Sequence, residues 1–324
     1  MTQNLNESSK KNTALMQALG AILLWGIMPT CTKLLVSQIE PMLALALTSL
    51  FASLFLAAYY AVKGKLGELK NLNLNTFLRM AAIGSLGVFF YNFFYYSGNT
   101  MLPAQTAYII NDLWPACIIL FSCLILKEKL TVGKLLAVLM SFTGVVIVAT
   151  GGSFQSFDLS NARGALFCLA AAVSYGFYAV LNKRESYDKE ISVLVAFATS
   201  GLAAFLCAIF MGQLRPLSLK EWGGSAFAGA VCNGLPGVLW VVALQNGNTA
   251  ILANLSYLTP VISMIVTHFV LGEPITVWSI VGTALIVSGI FMQILAEKIT
   301  ARMQRQKRKT GRKSAEANAA GKER

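Results

Sequence analysis

Of the 14 acidic residues in the chain, only Asp112 stands deep inside an apolar run, within Asn111-Asp112-Leu113-Trp114-Pro115. It falls about nine residues, roughly 14 Å of helix, from the nearer end of that run, so a spanning helix would carry its carboxylate close to the middle of a bilayer. A charge is costly there. A carboxylate held at that depth exchanges a proton, pairs with a cationic group of a bound molecule, or is hydrogen-bonded to hold two helices together. Gln105, Tyr108 and Asp112 recur at intervals of three and four residues and therefore share one helical face, with Asn111 at its border.

Similar polar and aromatic lines occur in other apolar runs. Phe89-Phe90-Tyr91-Asn92-Phe93-Phe94-Tyr95-Tyr96 puts Tyr91 and Tyr95 on one face and Asn92 and Tyr96 on the next. Rings with polar tips suit organic molecules or cations, and equally suit an aromatic packing or interfacial helix. Tyr175, Tyr178 and Asn182 form a line at i, i+3 and i+7, Asn233 and Trp240 share a face, and Asn254 and Tyr257 form a stripe leading to Pro260. Such lines contact a substrate or hydrogen-bond helix to helix. Pro115 and Pro260 free backbone carbonyls at membrane depth, which a cavity or a neighbouring helix can satisfy.

The remaining reactive residue types point away from other chemistry. The one histidine, His268, has no carboxylate or cysteine spaced to complete a metal site, and a packing or surface role is expected for it rather than proton relay. The six cysteines, Cys31, Cys117, Cys123, Cys168, Cys207 and Cys232, lie in apolar runs without metal or disulfide spacing and read as packing residues. Glu128 and Glu273 sit in short turns that they are expected to cap or anchor, although Glu128 between Lys127 and Lys129 could also gate one side. No phosphate-cradling glycine loop, nucleophile elbow or zincin motif is present, so neither an ATP-driven pump nor a hydrolase is indicated, and no cofactor or metal is expected.

The elements that must hold these residues are membrane helices. With 56% hydrophobic and 12% charged residues and a mean hydropathy of +0.63, a chain of 324 residues cannot bury its apolar surface as a soluble domain. Long continuous runs predict about ten spanning helices, near residues 14–36, 41–62, 76–97, 103–126, 132–150, 162–182, 191–211, 222–244, 249–271 and 276–296. Continuity of the runs excludes a barrel. The first run is too long for a cleaved signal peptide and lacks a small-residue cleavage pattern, so it reads as the first helix.

Basic residues set the orientation. An N-terminus inside places Lys10, Lys11, Lys63, Lys65, Lys70, Arg79, Lys127, Lys129, Lys134, Lys183, Arg184 and Lys189 on the cytoplasmic side, leaving Lys33, Arg163, Arg215 and Lys220 outside. Both termini are then cytoplasmic. The tail 297–324 carries ten Lys and Arg and no apolar core; it reads as disordered, contacting anionic lipid rather than nucleic acid.

The chain also repeats itself. Asp112-Leu113-Trp114-Pro115 returns 145 residues later as Tyr257-Leu258-Thr259-Pro260, and the Glu128 turn with Gly144 returns as the Glu273 turn with Gly289. Trp25-Gly26 with Lys33 resembles Tyr175-Gly176 with Lys183 at an offset of 150. Residues 14–150 and 162–296, joined by a linker at 151–161, are therefore duplicates. Five helices in each make the second enter the membrane from the opposite side, an inverted repeat, and such repeats are a recurring plan for secondary transporters.

Trp25-Gly26 with Lys33, the Pro115 and Pro260 helices, the Glu128 and Glu273 turns and the Gly144 and Gly289 helices together resemble the two EamA repeats of the drug/metabolite transporter superfamily, over nearly all of residues 14–296. Asn111 to Pro115, and Gly247-Asn248-Thr249 leading to Ser256-Tyr257-Leu258-Thr259-Pro260, are similar to its aromatic amino acid exporter branch. Where that branch tends to carry an aromatic residue this chain has Asp112, which argues against an aromatic substrate.

The resemblance implies an all-α, ten-helix membrane fold of two inverted repeats around a central cavity, working by alternating access. The polar and aromatic stripes on the helices it places centrally make Trp25, Tyr91, Tyr95, Tyr108, Asp112, Tyr175, Tyr178, Trp240, Asn254 and Tyr257 the substrate-binding candidates. The expected activity is export of amino acids or related small metabolites across the inner membrane, with protons a candidate coupling ion. Uptake of small metabolites is the alternative within transport; a membrane-embedded enzyme or a scaffold is the alternative outside it.

Overall fold

The structure, a computed structural model, describes residues 2–127, 130–150, 152, 159–246, 255, 258–289, 291, 292 and 295. Among these every regular element is helical, and helix occurs in each of the ten segments expected from the apolar runs. They are α1 Thr2–Val36, α2 Pro41–Val62, α3 Leu74–Met101, α4 Ala104–Ile125, α5 Val132–Thr150, α6 Leu159–Arg184, α7 Lys189–Phe210, α8 219–246, α9 Leu258–Leu271 and α10 Val277–Gly289. Six helices, α1 to α4, α6 and α7, are long and apolar enough to cross a membrane; α5, α9 and α10 include shorter apolar stretches. Glu128, the stretch 247–254, Tyr257 and the tail 297–324 lie outside the described residues.

Local sequence sets the helix starts. Pro41, whose fixed φ and missing N–H suit a first turn, opens α2. The side chains of Asn73 and Asp188 accept from the backbone N–H of Thr76 at 2.8 Å and Ile191 at 2.9 Å, capping α3 and α7. Ser218 and Glu221 form a reciprocal capping box at the start of α8.

Three helices are irregular, and the irregularities fall in matching places. A π-helical stretch interrupts α3 at Leu86–Phe90, and another interrupts α8 at Phe227–Gly234. The widened turns leave carbonyls that side chains must satisfy: Asn92 donates to Val88 at 2.9 Å, Ser174 to Leu86 at 2.7 Å and Asn233 to Ala228 at 2.8 Å. In α4 the helix is not merely kinked, as a proline alone would suggest. It divides into Ala104–Asn111 and Trp114–Ile125, with Asp112 in the turn between them and Pro115 in the first turn of the second piece.

Packing follows the duplication. α3 packs on α6 as α8 packs on α1, α4 packs on α6 as α9 packs on α1, and α2 packs on α8 as α7 packs on α3. The same exchange holds at residue level. Gly26 of α1 lies against Ile262 of α9, and Gly176 of α6 lies against Cys117 of α4. Gly84 lies against Ala196, and Gly229 against Thr48.

Ion pairs repeat it at the helix ends. Lys65 reaches Glu190 at 3.1 Å at the end where α6 finishes, hereafter the Lys183 end; Arg215 reaches Glu40 at 3.8 Å at the opposite, Lys33 end. Each basic residue and each acid has its counterpart 150 positions away. The helices meeting in these contacts come from different halves, so the core is built by interlocking the duplicates rather than by setting two finished domains side by side.

A methyl group added at Gly26 would stand 2.5 Å from Ile262 Cγ2, and one at Gly176 would stand 2.5 Å from Cys117 Cβ. Both contacts are between helix walls with little room to yield. Gly26→Ala and Gly176→Ala are therefore each expected to destabilise the protein by about 1–3 kcal/mol, read as a lowered thermal midpoint in detergent. Gly223, with open space where a Cβ would sit, is the control: Gly223→Ala should change stability by no more than about 0.5 kcal/mol.

At the Lys33 end, Glu221 accepts hydrogen bonds from Arg215 at 2.5 Å and from the Ser218 backbone N–H at 2.7 Å. Arg215 also donates to the Gln38 carbonyl at 2.6 Å, tying the α7–α8 turn to the α1–α2 turn. The Arg215 guanidinium, then the Ser218 N–H and hydroxyl, hold the Glu221 carboxyl down to about 2. A carboxyl depressed on folding contributes stability that is complete above its unfolded value, about 4.3, and is lost as pH falls towards about 2. The destabilisation caused by Glu221→Gln should be largest near neutrality and vanish as acid protonates the wild-type carboxyl; thermal midpoints of the two proteins across that window test it.

Candidate functional site

The interlocked halves enclose a cavity of about 770 Å3. Its deep part is lined by Trp25 and Met28 of α1, Tyr91 and Asn92 of α3, Tyr108, Asn111, Asp112 and Trp114 of α4, Tyr175 and Tyr178 of α6, and Asn233 and Trp240 of α8. From there it runs to Asn182, Asp188, Lys189 and Glu190, and the exposed Asp188 and Lys189 make its mouth at the Lys183 end.

Each irregularity of the fold positions part of this lining. The π-helical turns carry Gly87, Val88 and Asn233 to the wall and bring Tyr91 and Asn92 immediately after them. The break in α4 puts Asp112 at the cavity surface, where the Trp114 side chain approaches its carboxylate. Rings close around it: Tyr91 on Tyr175 and Trp114 on Tyr175, both at 5.4 Å between centroids, Tyr175 on Tyr178 at 5.7 Å, and Trp25 on Trp240 at 5.4 Å.

Seven of the ten residues expected from sequence line this space: Trp25, Tyr91, Tyr108, Asp112, Tyr175, Tyr178 and Trp240. Tyr95 does not. It stacks on Tyr91 with centroids 5.9 Å apart and is 1% exposed. Residues four apart share a face but stand a full turn apart along the axis, and the turn holding Tyr95 lies nearer the Lys33 end, among packed side chains. Asn254 and Tyr257 lie outside the described residues. Sequence reading missed Trp114 as a wall residue; its place beside Pro115 and Asp112 was the available signal, but only the helix break turns it inward.

The Lys33 end is latched. The Lys33 ammonium donates to the Asn99 and Leu102 carbonyls at 2.5 and 2.6 Å, where α3 ends and its dipole favours a cation. Beside it Glu273, in the turn between α9 and α10, accepts from the Ala104 and Gln105 backbone N–H groups at 2.6 and 2.9 Å. Glu273 thus caps α4 of the other half rather than only its own turn, as sequence suggested. His268 donates from Nδ1 to the Glu273 carbonyl at 2.8 Å, an anchoring role. Among the described residues no group of three or more His, Cys, Asp or Glu could hold a metal.

These features define a multi-pass α-helical membrane protein built from a duplicated unit around a central cavity. Residues 12–150 and 162–295 match the model of the EamA-like transporter family, and the chain belongs to that family, whose members are transporters and not enzymes. It is 27% identical over 259 residues to the aromatic amino acid exporter YddG of Ancylobacter novellus, covering 78% of this chain and 87% of that one. It is also 27% identical over 218 residues to the uncharacterized transporter YyaM of Bacillus subtilis, covering 64% and 70%. A solved crystal structure 24% identical in sequence shares the fold, with a TM-score of 0.63 and coverage of 89% of this chain and 99% of that chain.

Proposed function

We propose that this protein is a secondary transporter exporting amino acids or related small metabolites across the bacterial inner membrane, by rocking two inverted five-helix halves about the cavity. The observation that carries the reading is a cavity with its mouth at one end and, at the other, a latch in which Lys33 ties α1 to the end of α3 and Glu273 joins the two halves. The exchange of packing partners between the halves supports the inverted repeat, because the helix and glycine contacts named above recur with the halves swapped, so that an opposite state can be built from them. Basic residues concentrate at the Lys183 end, so that end is cytoplasmic, as are both termini. The state described is then open to the cytoplasm, ready to load a molecule for export.

In this reading Tyr91, Tyr108, Tyr175, Tyr178, Trp25 and Trp240 hold the apolar body of the substrate, and Asp112 recognises its polar group or exchanges a proton as access alternates. Asn254 and Tyr257 belong to the same proposal as the counterparts of the Asp112 stripe. The name of the Ancylobacter relative favours amino acids and export as the direction. Proteoliposomes containing the purified protein and preloaded with radiolabelled amino acids and amines should release at least one labelled compound faster than protein-free vesicles. Equal release of all compounds from both would remove the transport reading.

A further inference from the structure

We propose that the cavity selects organic monocations, an ammonium on an aromatic or apolar body, over zwitterionic amino acids; the rings around Asp112 suit an aromatic body that the carboxylate by itself argued against, and the proposal deepens the export reading and rests on it. Asp112 is the one charged residue lining the deep part of the cavity, and no basic residue lines it there among the described residues. The undescribed stretch 247–254, with Ser256 and Tyr257, contains no Lys or Arg either. A substrate carboxylate would therefore enter a desolvated site with no cation to meet it and one carboxylate to repel it.

The amide dipoles of the wall point the same way. Asn92 and Asn111 line the cavity and are 4% and 2% exposed, and the Oδ1 of each has no partner among the described residues. The orientation of Asn92 is fixed, because its Nδ2 donates to the Val88 carbonyl, which can only accept. Both oxygens are shielded from the cavity by their neighbours, so what they add is the negative end of an amide dipole at the wall, which favours an ammonium over a carboxylate. Clustered rings, Tyr91 on Tyr175 and Trp114 on Tyr175, add π faces that attract a cation.

The mouth carries Asp188, Glu190 and Lys189. Lys189 is occupied locally, donating to the Asn182 and Glu185 carbonyls and lying 4.6 Å from the centroid of the Tyr187 ring. Glu190 pairs with Lys65. Neither supplies a free cation inside the cavity.

Tyramine and tyrosine differ only by the carboxylate, so equilibrium binding of each, radiolabelled, to the purified full-length protein in detergent tests the proposal. Tyramine should bind at least about tenfold more tightly. Asp112→Asn should lose about 100-fold or more in tyramine affinity, and Asp112→Glu should retain most of it. Equal or tighter binding of tyrosine by the wild type overturns the proposal, as does failure of both to bind; neither result requires a folded variant. The export reading fails differently: tyramine would bind with the predicted preference, yet no compound would leave preloaded proteoliposomes faster than from protein-free vesicles.

Discussion

Replacing Asp112 by asparagine is expected to leave the protein in the membrane at wild-type levels and to lower transport by about 100-fold or more. The side chains are the same shape, and the backbone N–H of residue 112 still donates to the Tyr108 carbonyl at 2.9 Å, so the division of α4 survives. What disappears is a negative charge in a cavity with no second charge at that depth among the described residues. Removing one partner of a desolvated ion pair costs about 3–5 kcal/mol, more than two factors of ten in affinity, and removing a proton-exchanging group stops a coupled cycle outright. Expression, thermal midpoint and efflux from proteoliposomes measured together check this. Wild-type efflux in the variant would make Asp112 a residue that only holds the helices.

The second large effect is expected at the latch. Glu273→Gln keeps the length of the side chain but removes the negative charge from the N-terminus of α4, where the carboxylate faces two backbone N–H groups. A partly buried anion at a helix N-terminus contributes up to about 2 kcal/mol, so the balance between the latched and unlatched forms should move by up to roughly 30-fold. Lys33 loses its nearby counter-charge in the same variant. The expected outcome is a protein that binds substrate from the outside more readily and exports about tenfold more slowly, because resetting to the cytoplasm-open state becomes unfavourable. Unchanged efflux and unchanged outside accessibility would show that the Lys33 end does not open.

Much of the fold was legible because it is written in patterns of composition and period. Apolar runs located most described helix ends within a few residues, though α1 begins at Thr2, ahead of its apolar run at 14, because a polar stretch can stay helical outside the bilayer; Pro115 with Pro260 and Gly26 with Gly176 exposed the duplication. Helical spacing also gave most of the cavity wall, since Tyr175 and Tyr178, or Tyr108 and Asp112, can share a face only if the helix is regular between them. The failures mark where regularity ends. The π-helical turns in α3 and α8 and the break at Asp112 depend on partners such as Ser174 for the Leu86 carbonyl, a contact 88 residues away in sequence. Tyr95 was misplaced for another reason: periodicity gives the face of a helix but not the depth at which a cavity closes. Glu273 capping α4 lies beyond local reading altogether, because its partners belong to the other half.

Alternating access is tested most directly at Tyr108, which lies on the Lys33 side of Asp112 in the cavity wall. A single cysteine at position 108, in a background without the six native cysteines, can be probed with a membrane-impermeant thiol reagent applied from each side in turn. Labelling is expected from both sides, with Glu273→Gln raising outside labelling and lowering cytoplasmic labelling of the same site. Labelling from one side only, unaltered by substrate or by Glu273→Gln, would contradict a cavity that alternates between the two faces of the membrane.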